Sequence, residues 1–481
     1  MLHSRTAALL FPALLLLLLP WGVRGQGAAD PETPSSPSSA SPQRSPLPRW
    51  LRVNGELRGR YELLEGQFRR GGEGGDALLV FRTLLLAELG PGIARGRGVS
   101  VGAELQDSRS YLGTEGTPLS PSIVNPSDLL QLYARFQGGG GGGAPAADLI
   151  LGRQTISVGS RRQVERVEFA NVIRSFTGGH LFLTDGGSRE GNLYLVVPLA
   201  GEPTDRTLLA SNAHRADREQ WNRRLWGIHL REGELLPGSI PGLSLELFLQ
   251  GLHEGGSARF PTPHRWYLTP GFWLFRTPAP GRWDLDLEGA LRFGSRRGST
   301  APEDTRELSV RASLLAAHLG HTLPVAGSPR LAGQLHWASG DRDPGDDRFD
   351  RYERLFGSRR SDLGHTGIHG PLTPANLRAV GGRVELAPTR WSDLRLGYLH
   401  ASLASATDAW IVPGLQDPTG SSGTFIGHTL DARGRLWLAP GLLRMEVGGA
   451  ALLFGDFPKR VPGGPVGDRT LFGYGQLLVV F

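Results

Sequence analysis

From Trp50 to Leu63 the chain alternates without a break, and no other feature limits its fold as strongly. Leu51, Val53, Gly55, Leu57, Gly59, Tyr61 and Leu63 fall on one side; Arg52, Asn54, Glu56, Arg58, Arg60 and Glu62 fall on the other. A period of two is the signature of a β-strand, whose successive side chains point to opposite faces. Soluble strands usually run about 5–6 residues. A strand that crosses a bilayer at a tilt needs roughly 9–11, and this run exceeds that.

Similar segments recur to the end of the chain, near 76–90, 96–109, 128–137, 146–153, 170–184, 191–199, 224–231, 242–253 and 263–277. Further ones lie near 282–294, 306–320, 328–339, 378–388, 392–404, 426–438, 441–453 and 469–481. With the first they make about eighteen, within the even-numbered range of bacterial membrane barrels. The segment around 164–184 alternates least well, because Gly178-Gly179 interrupts it. The connections mostly alternate between long (64–75, 110–127, 154–169, 200–223, 340–377, 405–425, 454–468) and short (91–95, 185–190, 278–281, 321–327, 389–391, 439–440). Short turns at one end and long loops at the other are what an up-and-down barrel with periplasmic termini predicts. The expected fold is all-β: a transmembrane antiparallel up-and-down β-barrel of about eighteen strands, occupying 49–481.

In such a barrel the apolar face meets lipid and the polar face lines the lumen. Along 282–294, Trp283, Leu285, Leu287, Leu291 and Phe293 alternate with Asp284, Asp286, Glu288 and Arg292. Closure pairs every backbone N–H and C=O inside hydrocarbon, where water cannot. Trp50, Tyr61, Trp226, Trp283, Trp337 and Trp391 lie near strand ends, where an interfacial aromatic girdle belongs. The last strand, DRTLFGYGQLLVVF, ends on Phe481. It is expected to close the seam against 50–63, with Phe481 as part of the signal by which the barrel assembly machinery inserts such chains into the outer membrane.

Residues 1–25 read as a secretory signal peptide: Arg5 in the n-region, an apolar run from Ala7 to Leu19, then Val23-Arg24-Gly25. Residues 26–48, rich in Pro and Ser, have too little apolar surface for a core and read as a disordered linker. The Gly138–Gly143 run falls at a predicted short connection. Cysteine is absent, which removes disulfides, thiolate metal sites and thiol nucleophiles together.

The net charge of +6 is carried almost wholly by arginine, Lys459 being the sole lysine. Nucleic-acid binding concentrates charge in patches, whereas these arginines occur singly at alternating positions, so a nucleic-acid partner is not expected. Parity places Arg58, Arg60 and Arg135 in the lumen, with Arg52, Arg82, Arg292 and Arg311 among others. Two readings of them stand. Cross-strand pairing with the lumen carboxylates gives a solvated wall; unpaired guanidinium at a neck gives a path for anions. Asp341, Asp343, Asp346 and Asp347 crowd one long connection and could hold Ca²⁺, though no Glu closes the set as in an EF-hand, and Asp-stabilised turns account for the same residues. No other cofactor is expected. There is no P-loop, HExxH or GxSxG, so enzymatic activity is not expected.

Several stretches in order resemble the outer-membrane alginate export family. They are Leu151-Gly152-Arg153-Gln154; Ile173-Arg174-Ser175-Phe176-Thr177-Gly178; Trp283 to Phe293; and Trp337 to Asp347 with Leu355-Phe356 just after. Asp408-Ala409-Trp410, Ile426 to Asp431 and Phe454-Gly455-Asp456-Phe457 follow. The resemblance implies an eighteen-stranded outer-membrane barrel, in contact with membrane lipid, with an electropositive pore that secretes a polyuronate such as alginate; no energy source is visible in the sequence, so direction would come from the concentration gradient or a periplasmic secretion partner. Within the matching motifs it singles out Arg153 and Arg174 for the polyanion path. An uptake porin for small anionic solutes is the alternative, and behind it an outer-membrane hydrolase or a structural barrel.

Overall fold

The computed structural model describes residues 47–140, 145–257 and 259–481. The signal peptide and all but the last two residues of the linker lie outside them, as do Gly141–Gly143. The chain forms one sheet of twenty strands. In order they are β1 (Leu51–Glu65), β2 (Gly75–Leu89), β3 (Gly98–Tyr111), β4 (Asn125–Gly139), β5 (Ala146–Gln154), β6 (Phe176–Thr184) and β7 (Arg189–Ala200). Then come β8 (Arg218–Glu219), β9 (Arg223–Glu232), β10 (Leu243–Glu254), β11 (Trp266–Arg276), β12 (Trp283–Arg297), β13 (Glu307–Thr322) and β14 (Arg330–Ala338). The last are β15 (Arg348–Phe349), β16 (Leu377–Thr389), β17 (Ser392–Ser402), β18 (Phe425–Ala439), β19 (Leu443–Phe454) and β20 (Arg469–Val480).

β8 and β15 are two-residue pairings within loops. The other eighteen pair antiparallel with their neighbours, and β1 closes on β20 from Glu56↔Val480 to Glu65↔Leu471. Among the described residues no helix is long and apolar enough to cross a membrane; the strands do so. Their faces are inverted relative to a soluble protein. Leu57, Tyr61 and Leu63 are exposed, while Arg58, Arg60 and Glu62 on the same strand are buried. Exposed Trp50, Trp283 and Trp391 mark the short-turn end, and exposed Trp221 and Trp266 mark the other.

All the long connections lie at one end, and two of them fold back into the lumen. Residues 155–175 enter from between β5 and β6, and residues 339–376 from between β14 and β16. The apolar core therefore lies between wall and loops: Phe68, Val164, Phe176 and Ile368 are fully enclosed. This insertion accounts for two departures from the sequence reading. The segment expected as a strand from 170 begins only at Phe176, because the carbonyls of Phe169 and Ala170 are taken by wall arginines rather than by a neighbouring strand. Arg311, expected in the lumen, is exposed on the outer face. Its inward neighbours Val310, Ala312 and Leu314 are buried, and Val310 pairs with Phe349 of the inserted loop. Where Arg348 and Phe349 of the inserted loop cover β13, the inward face is the apolar one.

At the seam, Phe481 accepts a hydrogen bond from Gly55 N (2.7 Å) and donates one to Gly55 O (3.0 Å). Its ring lies over Gly55, where a Cβ would meet it at 2.1 Å. Deleting Phe481 removes both bonds, each contributing about 0.5–1.5 kcal/mol. The expected outcome is a smaller fraction of heat-modifiable, folded barrel on gel electrophoresis, with unchanged single-channel conductance in the barrels that do insert.

Candidate functional site

The loop 155–175 is held by its backbone. Arg58 donates to the carbonyls of Glu168 and Ala170 (both 2.8 Å), Arg82 to the same two (2.8 and 2.7 Å), and Arg60 to that of Phe169 (2.6 Å). Buried Asn171 donates to the carbonyls of Phe81, Arg109 and Ile123 and accepts from Arg58. Arg166 grips Glu104 of β3 with two bonds, at 2.8 and 2.9 Å.

The second loop docks on the first. Val164 forms a parallel bridge with Phe356, Ser358 N donates to Arg161 O (3.0 Å), and Tyr352 Oη donates to Gln163 (2.8 Å). Arg162 ties both loops to β12 through Asp286 (2.7 Å), Glu288 (3.4 Å) and Asp362 (2.7 Å). Arg360 reaches Glu446 (2.9 Å) and Tyr474 (2.6 Å) on the opposite wall. Asp408 and Trp410 brace the loop from outside, Asp408 by accepting from Asp341 N and Arg351, Trp410 by donating to Pro371 O.

These loops divide the lumen. On the long-loop side lies a chamber of about 480 Å³. A smaller space of about 160 Å³ lies toward the short turns, among Asp284, Asp286, Arg330, Arg383 and Arg433. Arg60, Arg69, Arg174 and Arg223 line the large chamber, joined by Arg354, Arg359 and Arg360 from the second loop; its acids are Glu62, Glu165 and Asp217. Arg174 and Arg359 make no ion pair with a carboxylate among the described residues. Arg174 donates only a long bond to Leu355 O (3.4 Å), and Arg359 donates to Leu372 O (2.7 Å).

Arg174 is open to lumen water yet has protein on every side. Burial first, and Arg354 second, push it down to about 10. Burial together with Arg354 and Arg69 pushes Arg359 down to about 9. Both remain cationic at neutral pH, held against their neighbours' repulsion, which a bound anion would relieve. Phe356, itself buried, packs against Arg174 (5.3 Å) and Arg223 (5.2 Å) and so helps hold both guanidinium groups at the chamber wall.

Of the residues singled out from sequence, Arg174 and Arg60 line this chamber, although Arg60 is bonded to Glu62 (2.6 Å). Arg153 stands behind Ser175 and Asp217 and pairs with Asp128 (2.8 Å). Arg58 serves the loop carbonyls. Arg135 pairs with Asp148 near the short-turn end, away from both spaces. In the acidic loop, Asp343 and Asp346 accept from backbone N–H groups two residues ahead, Asp347 pairs with Arg306 (2.9 Å), and Asp341 donates its N–H to Asp408. Arg69, Arg223, Arg354 and Arg359 escaped the sequence reading; the doublet Arg359-Arg360 close behind Leu355-Phe356 was a signal available for Arg359 alone.

A closed eighteen-stranded barrel with an inverted surface and a basic, loop-narrowed lumen is an outer-membrane channel of the porin type. The family model for alginate export matches residues 49–227 and 265–471. The chain belongs to the alginate export family. Among solved structures it is similar to OccK2 (OpdF) of Pseudomonas aeruginosa in complex with glucuronate, at 12% identity and TM-score 0.55, covering 89% of this chain and 98% of that one. A BenF-like porin from Pseudomonas fluorescens gives 11% identity and TM-score 0.56, covering 90% and 98%. OprD of Pseudomonas aeruginosa gives 10% and 0.52, covering 90% and 94%. No curated protein matches the chain in sequence.

Asp217, on the chamber wall, accepts from Glu202 N (3.0 Å) and faces Asp128 and Arg153. Burial, and then the Asp128 carboxylate, push it up to about 7. As pH rises through 7 it ionises and the chamber loses net positive charge. Anion preference should therefore fall from pH 6 to pH 8, by about twofold in permeability ratio. Reversal potentials across a salt gradient check this, and Asp217→Asn should abolish the dependence.

Proposed function

We propose that this channel carries a uronate-rich anionic polysaccharide, alginate-like in chemistry, across the outer membrane by passive export. The observation that carries the reading is the set of guanidinium groups without carboxylate partners, Arg174 and Arg359 above all, on the wall of the large chamber. Arginine stays charged when desolvated and presents two donors in the plane of a carboxylate. Successive uronate carboxylates would move between such groups. Nothing in the reading supplies energy or a catalytic step, so direction comes from the concentration gradient or from a periplasmic secretion partner.

A second reading, uptake of small anionic solutes such as sugar acids, is favoured by the divided lumen. Spaces of about 480 and 160 Å³ separated by packed loops suit a few sugar rings better than a threaded polymer. The similar OccK2 structure contains glucuronate.

Planar-bilayer recording separates the two. Polymer passage requires an anion-selective conductance that polyuronate blocks. Solute uptake predicts glucuronate current with no block by polymer. Arg174→Glu together with Arg359→Glu should weaken block by about tenfold, equivalent to about 1.4 kcal/mol. A cation-selective pore insensitive to both ligands would overturn both readings.

A further inference from the structure

Beneath the large chamber, where the second loop meets the wall, three donor atoms converge. His318 on β13, His336 on β14 and Asp362 on the short helix Arg360–Leu363 are all buried, with their ligating atoms within 4.8 Å of one another. His318 Nε2 lies 3.3 Å from His336 Nε2 and 3.5 Å from Asp362 Oδ1. The rings stand edge-to-face, at 81°. Two imidazole nitrogens facing each other at this distance share at most one hydrogen, and the third partner is an acceptor. The Gln334 side-chain amide also lies 3.4 Å from His318 Nε2, a neutral contact that an ion drawing on the two imidazole lone pairs and the carboxylate would displace.

We propose that His318, His336 and Asp362 bind one divalent transition-metal ion of the Zn²⁺ class, which pins the inserted loop to the barrel wall. Around a tetrahedral ion with bonds of about 2.0–2.1 Å, neighbouring ligand atoms stand about 3.3 Å apart, close to the two separations given. Two imidazoles and one carboxylate suit zinc in preference to calcium or magnesium.

The surroundings supply part of what such a site needs beyond its ligands. His318 Nδ1 lies 3.8 Å from Asp286 Oδ2, longer than a hydrogen bond, and the two would have to close by about 0.8 Å for the carboxylate to orient the ring as a ligand. Arg162 holds Asp362 through Nε to Oδ2 (2.7 Å) and Nη2 to Oδ1 (3.1 Å), fixing the carboxylate's plane. Arg162 is itself outnumbered by Asp286, Glu288 and Asp362; of the other nearby cations, Arg383 is bonded to Glu385 (3.5 Å) and the carbonyl of Ser361, and Arg359, which borders the same small cavity as His336 and Asp362, donates to the carbonyl of Leu372 (2.7 Å). That cavity of about 20 Å³ is walled almost wholly by apolar groups, among them Leu314, Ala316, Leu363 and Leu377, so the three protein ligands carry the site. His318 borders the lower space of the lumen, which gives an ion its entry path.

The test uses the full barrel, refolded in detergent, free of any histidine tag and stripped with chelator. Zn²⁺ titration by calorimetry should give one ion per chain. Co²⁺ should give the intense visible absorption of tetrahedral coordination. His336→Ala should weaken Zn²⁺ binding at least tenfold and abolish the Co²⁺ spectrum, whereas Asp343→Asn, in the acidic loop, should change neither. His336→Gln, which keeps a polar group in place, serves if the alanine variant does not refold. Zn²⁺ should also raise the temperature of heat modification in wild type and not in the His336 variant. Binding well below one equivalent in wild type, or wild-type affinity and spectrum in a folded His336 variant, would overturn the site. None of these readouts depends on which solute the channel conducts.

Discussion

The grip of Arg58, Arg60 and Arg82 on the carbonyls of residues 168–170 is the interaction on which the lumen depends. A loop threaded into a barrel has left its neighbours in the sheet, and its buried carbonyls need partners, since an unpaired one costs about 1–3 kcal/mol. The wall supplies donors as guanidinium forks, two carbonyls to a fork in Arg58 and Arg82. Glu56 on Arg82 and Glu62 on Arg60 offset part of the charge this brings inside. With 168–170 fixed, Arg162, Val164 and Phe169 stand where the second loop can dock. The Phe169 ring lies between Arg60 of the wall and Arg360 of that loop, 3.9 Å from each.

Pairing sorts the lumen charges into two populations. Those on the wall near the short turns are matched across strands: Arg330 with Asp284 and Glu385, Arg433 and Arg435 with Asp393, Arg135 with Asp148. Such pairs keep the wall hydrated and contribute little net field. The unmatched charges come chiefly from the loops, in Arg174 and Arg359. The electropositive character of the channel is therefore a property of the inserted segments, and the barrel's part is to hold them in place.

That division explains what could be read from the sequence. Strand number, seam, inverted faces and the alternation of turns with loops follow from a local period of two, imposed by lipid on one side of each strand. Arg58, Arg60 and Arg135 were placed on the correct face by parity alone. Their partners were not legible, because Arg58 contacts residues more than a hundred positions away that approach only once a loop has folded inward. Parity misplaced Arg311 for the same reason: docking of Phe349 turned that part of the inner wall apolar. Arg354 and Arg359 lie outside any strand, where the period of two carries no information.

The near-exclusive use of arginine follows from the same physics. A lysine in the place of Arg58 or Arg82 would bring a compact charge that can bond two carbonyls only by compromising the geometry of each. Desolvated among other cations, it would also give up its proton more readily. Guanidinium remains charged, spreads that charge over a plane, and stacks on aromatic rings. Phe169, Phe356, Tyr352 and Phe349 each lie against at least one arginine inside the barrel. One side-chain type thus holds the loop backbone, packs against its rings and faces the chamber. What distinguishes a structural arginine from one left to meet an anion is how many of its donors are taken: Arg58 and Arg82 each hold two carbonyls, whereas Arg174 and Arg359 each hold one and no carboxylate.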